Sequence, residues 1–507
     1  MKVSGLSHFS LGQAVPKRDH AVCVSLPTIK DLIGYEEKNP KTLAAMRSGY
    51  PRFVRNHRIK ELDHHYKQID GKDGNESFFF SNHYDWELFR KLYPITDWSK
   101  DDCDGLIRVC IPKDSKSAQL CRLFQQHSGT GISSRLAEDI LYRKGIISKR
   151  EFIRTSKSSS TEEICKVISK AHGPEIDSED VLLANSGANA FYSLFQAAIE
   201  NARTQKKKIW VRLGWLYLDT IETIELLVKE DEKIVSFYRL QDFNKLKALF
   251  ADFGHLIAGV ITEFPTNPLM QSFDLENLQA LCRKHQALLV VDPTMASPKN
   301  AKVSKFADIV VNSLTKYANW EGDVMMGSLV FPKQSRLGRS LMQRTQDLIS
   351  RPFSRDLDRL AEQIPFYESF IEHTNASTIK VAEFLMGHPE VKEVRWAYQS
   401  RCSENYQRLA GDAKPGCVIS FEIKGDFETF YNSLGMLKSP SFGTEFSLCC
   451  PYVYLAHYSM MHNEDGKKQL KEAGISPQLL RLSVGLEPSD QIISVLRESL
   501  DLVHSNS

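Results

Sequence analysis

No run of the chain comes near the roughly 18 to 20 consecutive apolar residues that a membrane helix needs. The N-terminus has no apolar core of a secretory signal. Ten cysteines are scattered without one C-x-x-C pair, which speaks against a structural zinc site or a disulfide framework and for a reducing, cytoplasmic setting. Adjacent Cys449 and Cys450 then read as small buried hydrophobes. An excess of either charge is also missing: 65 Lys and Arg face 63 Asp and Glu, a formal net charge of +2. Nothing in that balance draws the protein to nucleic acid or to an anionic membrane. The one basic run, Lys206-Lys207-Lys208, reads as a solvated loop ahead of the apolar Ile209-Trp210-Val211. Internal repeats are absent.

What is present is a globular composition. Hydrophobic residues make up 42% and charged residues 25% of 507, enough for packed cores in two to four domains. From about residue 178, short apolar runs alternate with helical patterns. Strands are expected at Val181 to Leu183, Ile209 to Arg212, Leu256 to Thr262, Leu288 to Val291 and Ile309 to Asn312. Between the third and fourth, Asp274 can cap a helix in which Leu275, Leu278 and Cys282 keep helical spacing. Near-continuous apolar strands alternating with helices predict an α/β fold, a mainly parallel sheet flanked by helices. Ligands of such sheets bind in the loops at the carboxyl ends of the strands. Residues 339 to 385 read as mostly helical. A smaller α+β unit with a strand over Cys417 to Ile423 and a closing helix near Asp490 to His504 follows. The expected organisation is an N-terminal arm over 1–160, a cofactor domain over 161–345 and a C-terminal domain over 346–507. Ser156 to Thr161 reads as a joint or helix cap. The arm is less regular, rich in aromatics and histidine, with breaks at Asp70 to Gly74 and Gly129 to Gly131.

Several residues fall at the carboxyl edge of the predicted sheet. Asp292 ends one strand and Lys316 follows the next. Pyridoxal phosphate needs such a pair, a lysine amine for covalent linkage and a carboxylate to keep the ring nitrogen protonated. Taken alone, a lysine after a strand is usually solvated and an aspartate there usually caps a helix. Ser313 and Thr315 flank Lys316 and can offer hydroxyls to a phosphate. Ser186-Gly187-Ala188 opens a helix after a strand, where backbone amides favour phosphate; an ordinary tight turn is the alternative. Tyr217 can stack on a ring or belong to the core. Asn267, between prolines, can be a ligand or part of a turn. Arg481 interrupts an apolar strand, so its charge needs a partner, either a structural or a substrate carboxylate. His64, His65 and His83 meet no metal-ligand spacing and read as surface or interface residues.

In order and together, these pieces resemble the Cys/Met-metabolism family of fold-type I pyridoxal-phosphate enzymes over about residues 178 to 490. The strongest segments are Val290-Val291-Asp292-Pro293-Thr294 and Ala307-Asp308-Ile309-Val310-Val311-Asn312-Ser313-Leu314-Thr315-Lys316-Tyr317. They are similar to the family's V-D-N-T and A-D-I-V-x-x-S-x-T-K-Y, with Pro293 in place of asparagine. The resemblance implies that Lys316 links the cofactor and Asp292 pairs with its ring nitrogen. It places Ser186, Gly187, Ala188, Thr294, Ser313 and Thr315 around the cofactor. Tyr217 would stack on the ring and act as acid or base, and Asn267 would touch the ring hydroxyl and substrate. Arg481 would hold the substrate carboxylate, with Ser441 beside it.

The N-terminal third departs from the common pattern. Tyr50-Pro51-Arg52 fits the family's Y-x-R, a pair that reaches the neighbouring subunit's phosphate and implies a homodimer or homotetramer with shared sites. The N-P-T that should follow is displaced, onto Gly131 to Arg135, by an insertion over about 54–130. This split layout resembles the fungal-type cystathionine γ-synthases, which share Val24-Ser25-Leu26-Pro27-Thr28, Gly34-Tyr35-Glu36-Glu37 and a late segment like Phe442-Gly443-Thr444-Glu445-Phe446 with Cys450-Pro451-Tyr452. The implied activity is γ-replacement on an O-acylhomoserine by cysteine, giving cystathionine. A sulfhydrylase or γ-lyase uses the same motifs, and a catalytically silent homologue is the rival outside enzymes.

Overall fold

The computed structural model describes residues 8–46, 54–154 and 159–505. Its centre is a seven-stranded sheet in the spatial order Val181–Ala184, Gly327–Val330, Ile309–Ser313, Leu288–Asp292, Ile257–Glu263, Ile209–Leu213, Lys233–Phe237. Only Gly327–Val330 runs against the others. The inner strands are Val, Ile and Leu on both faces because helices cover both. All five expected strands form. The two not foreseen are Lys233–Phe237, a half-buried edge, and the four-residue Gly-Ser-Leu-Val strand. Neither carries the continuous apolar run that marks a central strand.

The C-terminal unit holds a five-stranded sheet in the order Val391–Arg395, Val418–Ile423, Leu480–Ser483, Leu448–Pro451, Leu437–Lys438. Helices Tyr367–Gly387 and Ser489–Ser505 pack against it. Cys449 and Cys450 are buried in this core. Within the predicted joint, 156–158 lie outside the described residues, while Ser159 caps helix Ser160–His172 by accepting from the Glu162 amide. No helix among the described residues is long and apolar enough to cross a membrane.

Two readings need correction. Lys207 is not in a solvated loop. It is buried, and its ammonium donates to the carbonyls of His285 and Gln286. The N-terminal third is also more regular than its composition suggests. Strands Asn75–Phe80, Leu106–Pro112 and Ser99–Cys103 form an antiparallel sheet. Helices His57–Asp70, His83–Leu92, Lys116–Ser128 and Ser134–Arg143 each start on an Asn or Ser whose side chain accepts a first-turn amide. Phe78, Phe80, Trp86, Phe89 and Phe124 of this segment share one core with Ala190, Tyr192 and Phe195 of helix Gly187–Thr204.

Buried charges tie the same region to the central domain. Arg135 and Asp323 are each 1% exposed. Arg135 contacts Glu151, Asp356 and Asp323, and Asp323 also takes Arg359 and Arg18. Burial pushes the Asp323 carboxyl up, but Arg135, Arg359 and Arg18 outweigh it and hold the group below its usual range. Burial likewise raises Glu138, and His20, Arg355 and the Glu151 amide bring it down to about 2.

A depressed carboxylate contributes stability above its unfolded pKa and loses it as pH falls through the folded one. For Glu138 that window runs from 4.5 down to about 2. Glu138→Gln should flatten that acid limb in urea titrations. Asp323→Ala strands buried arginines and should cost about 3–5 kcal/mol, whereas the exposed control Glu464→Ala should leave the midpoint close to wild type. Equal denaturation midpoints for Asp323→Ala and the control would remove the network from the stability account.

Candidate active site

The carboxyl ends of the parallel strands open on a chamber of about 1090 Å³. Gly187, Tyr217, Glu263, Asp292, Ser313 and Lys316 all reach its wall, each from the end of a different strand or the turn after it, save that Ser313 and Lys316 share one. Ser186 caps helix Gly187–Thr204 by accepting from the Asn189 amide at 3.1 Å. The amides of Gly187 and Ala188 then stand in the first turn, where no helical carbonyl can take them. A Cβ on Gly187 would fall 2.9 Å from Ser313 Cβ. Only glycine lets this turn approach Ser313 so closely.

Lys316 is 7% exposed, and its Nζ donates to Ser441 Oγ at 2.7 Å. Ser441 holds φ at 115°, a value that residues with a side chain rarely adopt. The strained backbone presents its hydroxyl to the lysine. Asp292 accepts from the Thr294 amide at 2.8 Å. Desolvation pushes Asp292 up to about 6 against the pull of the Thr294 hydroxyl and amide. Thr294 Oγ1 accepts from the Ser313 amide and donates to Asn312, which locks the Asp292 turn onto the neighbouring strand. Thr315 lines the chamber too, with its hydroxyl exchanged with the backbone of Met326.

Arg481 lies in strand Leu480–Ser483, 8% exposed, between the rings of Phe442 and Tyr452 at 5.3 and 5.6 Å. Asn267 Oδ1 accepts from it at 3.1 Å and the Ser441 carbonyl at 3.4 Å. Among the described residues no carboxylate pairs with it at ion-pair distance. A buried guanidinium held flat and left without an anion leaves the substrate-carboxylate reading ahead of the structural one. Tyr50 and Arg52 lie outside the described residues.

Glu263 is a site residue that the sequence reading missed. It ends strand Ile257–Glu263 beside Asp292 and is buried. Its two oxygens accept the amides of Tyr217 at 2.6 Å and Asn267 at 2.8 Å. One carboxylate thus fixes both loops that face Lys316. Desolvation, reinforced by Asp292, holds Glu263 well above its ordinary range despite the Asn267 amide and Arg481. The available signal was a charged residue closing an apolar strand one place from Asp292.

These residues fit pyridoxal phosphate. Free helix-start amides suit its phosphate, Asp292 suits a protonated ring nitrogen, and Lys316 is a shielded amine beside both. Lys316→Ala should lose the visible absorption of the bound cofactor. Asp292→Asn should keep the fold and weaken binding by at least tenfold at pH 8, since a pair with a charged partner contributes about 1.5–3 kcal/mol. Wild-type affinity should also fall below pH 6, where Asp292 of the empty site takes up a proton. Normal affinity and spectrum in both variants would discard the assignment.

Comparison with known proteins agrees. A sequence profile for Cys/Met metabolism PLP-dependent enzymes matches residues 176–501. The chain is 29% identical to L-2-amino-4-chloropent-4-enoate dechlorinase/desaturase of Streptantibioticus cattleyicolor, covering 96% of this chain and 97% of that protein. It is 24% identical to cystathionine gamma-synthase of Neurospora crassa, covering 98% and 99%. Among solved structures, cystathionine gamma synthase from Xanthomonas oryzae pv. oryzae in complex with cystathionine matches with a TM-score of 0.57 at 23% identity, over 71% of this chain and 90% of that one. Yeast cystathionine gamma-lyase matches with a TM-score of 0.57 at 24% identity, over 70% and 89%. The fold, the strand-edge chamber and the profile match place this chain in the Cys/Met metabolism family of pyridoxal-phosphate-dependent enzymes.

Proposed function

We propose that the protein acts at the γ-carbon of an L-amino acid, and that its reaction is γ-replacement on an O-acylhomoserine by cysteine, yielding cystathionine and the free acid. The observation that carries the first part is Arg481, a buried cation with no carboxylate at ion-pair distance among the described residues. It takes the substrate's α-carboxylate, and Asn267, Phe442 and Tyr452 keep its plane fixed. Bound pyridoxal phosphate supplies an electron sink for charge developing at the α-carbon. Lys316 Nζ moves the proton between the α- and β-carbons, and Ser441 Oγ aligns that amine. Tyr217, whose amide is set by Glu263, would stack on the ring and serve as a second acid or base. Ser186, Gly187, Ala188, Ser313 and Thr315, which line the chamber, would hold the phosphate, and Thr294 braces Asp292. A chamber of about 1090 Å³ leaves room for a thiol-bearing amino acid beside the first.

A second reading is γ-elimination with no acceptor. It is favoured by the layout of the dechlorinase/desaturase, which aligns over 489 positions, whereas the Neurospora synthase aligns over 626, more than the 507 of this chain and so with long gaps. The deciding experiment offers acetyl-, succinyl- and phosphohomoserine with cysteine or sulfide, and 2-amino-4-chloropent-4-enoate alone. Cystathionine as the main product is expected. Chloride release without any cystathionine would replace the first reading by the second. Arg481→Lys should raise KM for the amino acid about tenfold or more through loss of a forked contact; an unchanged KM removes Arg481 from substrate binding.

The family resemblance also suggests a homodimer or homotetramer in which Tyr50 and Arg52 complete the neighbour's phosphate site. Arg52→Ala and Lys316→Ala subunits, each inactive, should recover partial activity when co-expressed. No recovery in a confirmed heterodimer means that each site is built within one chain.

A further inference from the structure

Helix Lys116–Ser128 of the inserted segment ends against the cofactor chamber. Its last turn meets two separate parts of it. His127 Nδ1 lies 3.0 Å from Asp219 Oδ1, and the His127 carbonyl accepts from the Thr223 hydroxyl at 3.4 Å. Asp219 and Thr223 belong to helix Leu218–Leu227, whose cap residue is Tyr217. Immediately beyond, the Ser128 carbonyl accepts from Asn189 Nδ2 at 3.3 Å. The carbonyls of Gly129 and Gly131 accept from Asn185 Nδ2 at 2.9 and 3.3 Å. Asn185 and Asn189 bracket Ser186-Gly187-Ala188. Gly129 is left-handed, with φ of 66°, and a Cβ there would fall 2.4 Å from Ser186 Oγ. The inserted helix therefore approaches the phosphate turn as closely as backbone allows.

A second tie comes from helix His83–Leu92. Asp85 is 0% exposed and accepts from Asn82 Nδ2 at 2.7 Å and from Ser350 Oγ at 3.2 Å. Ser350 is spent on the same turn. Its hydroxyl accepts from Asn189 Nδ2 at 3.3 Å, its amide donates to Asn189 Oδ1 at 2.9 Å, and its carbonyl accepts the Asn185 amide at 3.0 Å. A hydrogen-bonded path thus runs from Asp85 to both residues that flank Gly187.

Packing alone does not account for these groups. The interface already has an aromatic core, and buried carboxylates weaken an apolar contact unless they orient something. Asp85 and Asp219, 0% and 3% exposed, each engage an element that faces the cofactor. We propose that the inserted segment positions the cofactor, with His127 acting through Asp219 on the helix that carries Tyr217 and Asp85 acting through Ser350 on the phosphate turn. This rests on the pyridoxal-phosphate reading of the chamber.

The test uses full-length protein stripped of cofactor and titrated with pyridoxal phosphate. Ser350→Ala and Asp85→Ala should each raise Kd roughly tenfold, the equivalent of one charge-assisted hydrogen bond. They should also shift the phosphorus resonance of the bound cofactor, while the stripped proteins melt like stripped wild type. Asp85→Asn keeps an acceptor for the Ser350 hydroxyl and should stay within about threefold of wild type. His127→Ala and Asp219→Asn should change the circular dichroism of the visible cofactor band, which reports ring orientation, more than they change Kd. Two results overturn the proposal: an unchanged Kd and phosphorus resonance in Ser350→Ala with an unchanged visible dichroism in Asp219→Asn, or a fall in melting of the stripped variants that accounts for the whole loss. If stripped wild type takes up no pyridoxal phosphate, the reading of the chamber itself fails, which is a different outcome from either.

Discussion

Two carboxyl groups sit side by side at the bottom of the chamber. Glu263 and Asp292 end adjacent parallel strands in register, about 4.8 Å apart along the sheet. Both are pushed upward by desolvation, and neighbouring carboxylates resist ionising together. The structure resolves this by dividing their tasks. Glu263 is turned inward, where two amides fix it and Arg481 draws on its charge. The Asp292 side chain accepts from Thr294 and is raised to about 6. Asp292, desolvated at the strand end, therefore suits pairing with a ring nitrogen that carries a proton. Asn267 and Tyr217 take their places from the inward member of the pair, and Asn267 in turn accepts from Arg481.

How much of this was legible follows from what each residue has to do locally. Lys316, Asp292 and Gly187 belong to strand–loop junctions whose apolar runs are visible in the chain, so fold and site emerge together. The edge strand Lys233–Phe237 was not legible because half of it faces solvent. Glu263 was hidden for the opposite reason. Its partners are backbone amides, which leave no residue-type signature. Lys207 misled in the same way, since carbonyls at a loop end satisfy its charge where a solvated run would normally be inferred.

The inserted segment shows the limit of pattern reading most plainly. Its aromatic density could mean a surface patch or half of a core, and only the facing side chains of helix Gly187–Thr204 decide for the core. Once that core is shared, the segment cannot move without disturbing the helix whose first turn faces the chamber. The buried network around Arg135 and Asp323 extends the constraint to the loop just beyond Lys316. The inserted segment thus shares its core with the domain that carries the chamber.

The chamber has two kinds of wall, and they answer different chemical questions. Its inner wall is the strand edge, where Lys316 and Asp292 stand with Asn267 and Phe442, and Arg481 lies against the last two; on the proposed reading these groups hold an amino acid by its carboxylate and act at the α-carbon. That work is the same whether the group on the γ-carbon is replaced or simply lost. The outcome turns on whether a nucleophile stands beside the γ-carbon before a proton returns to the chain. That is a matter of what the remaining wall admits, and here the remaining wall includes Arg55, Lys60, Arg122 and Gln126 of the inserted segment. Residues that every γ-carbon enzyme of this family needs cannot carry the distinction. On the proposed reading, the side chains that the inserted segment brings to the chamber are the ones able to carry it, because they lie away from the strand-edge motifs.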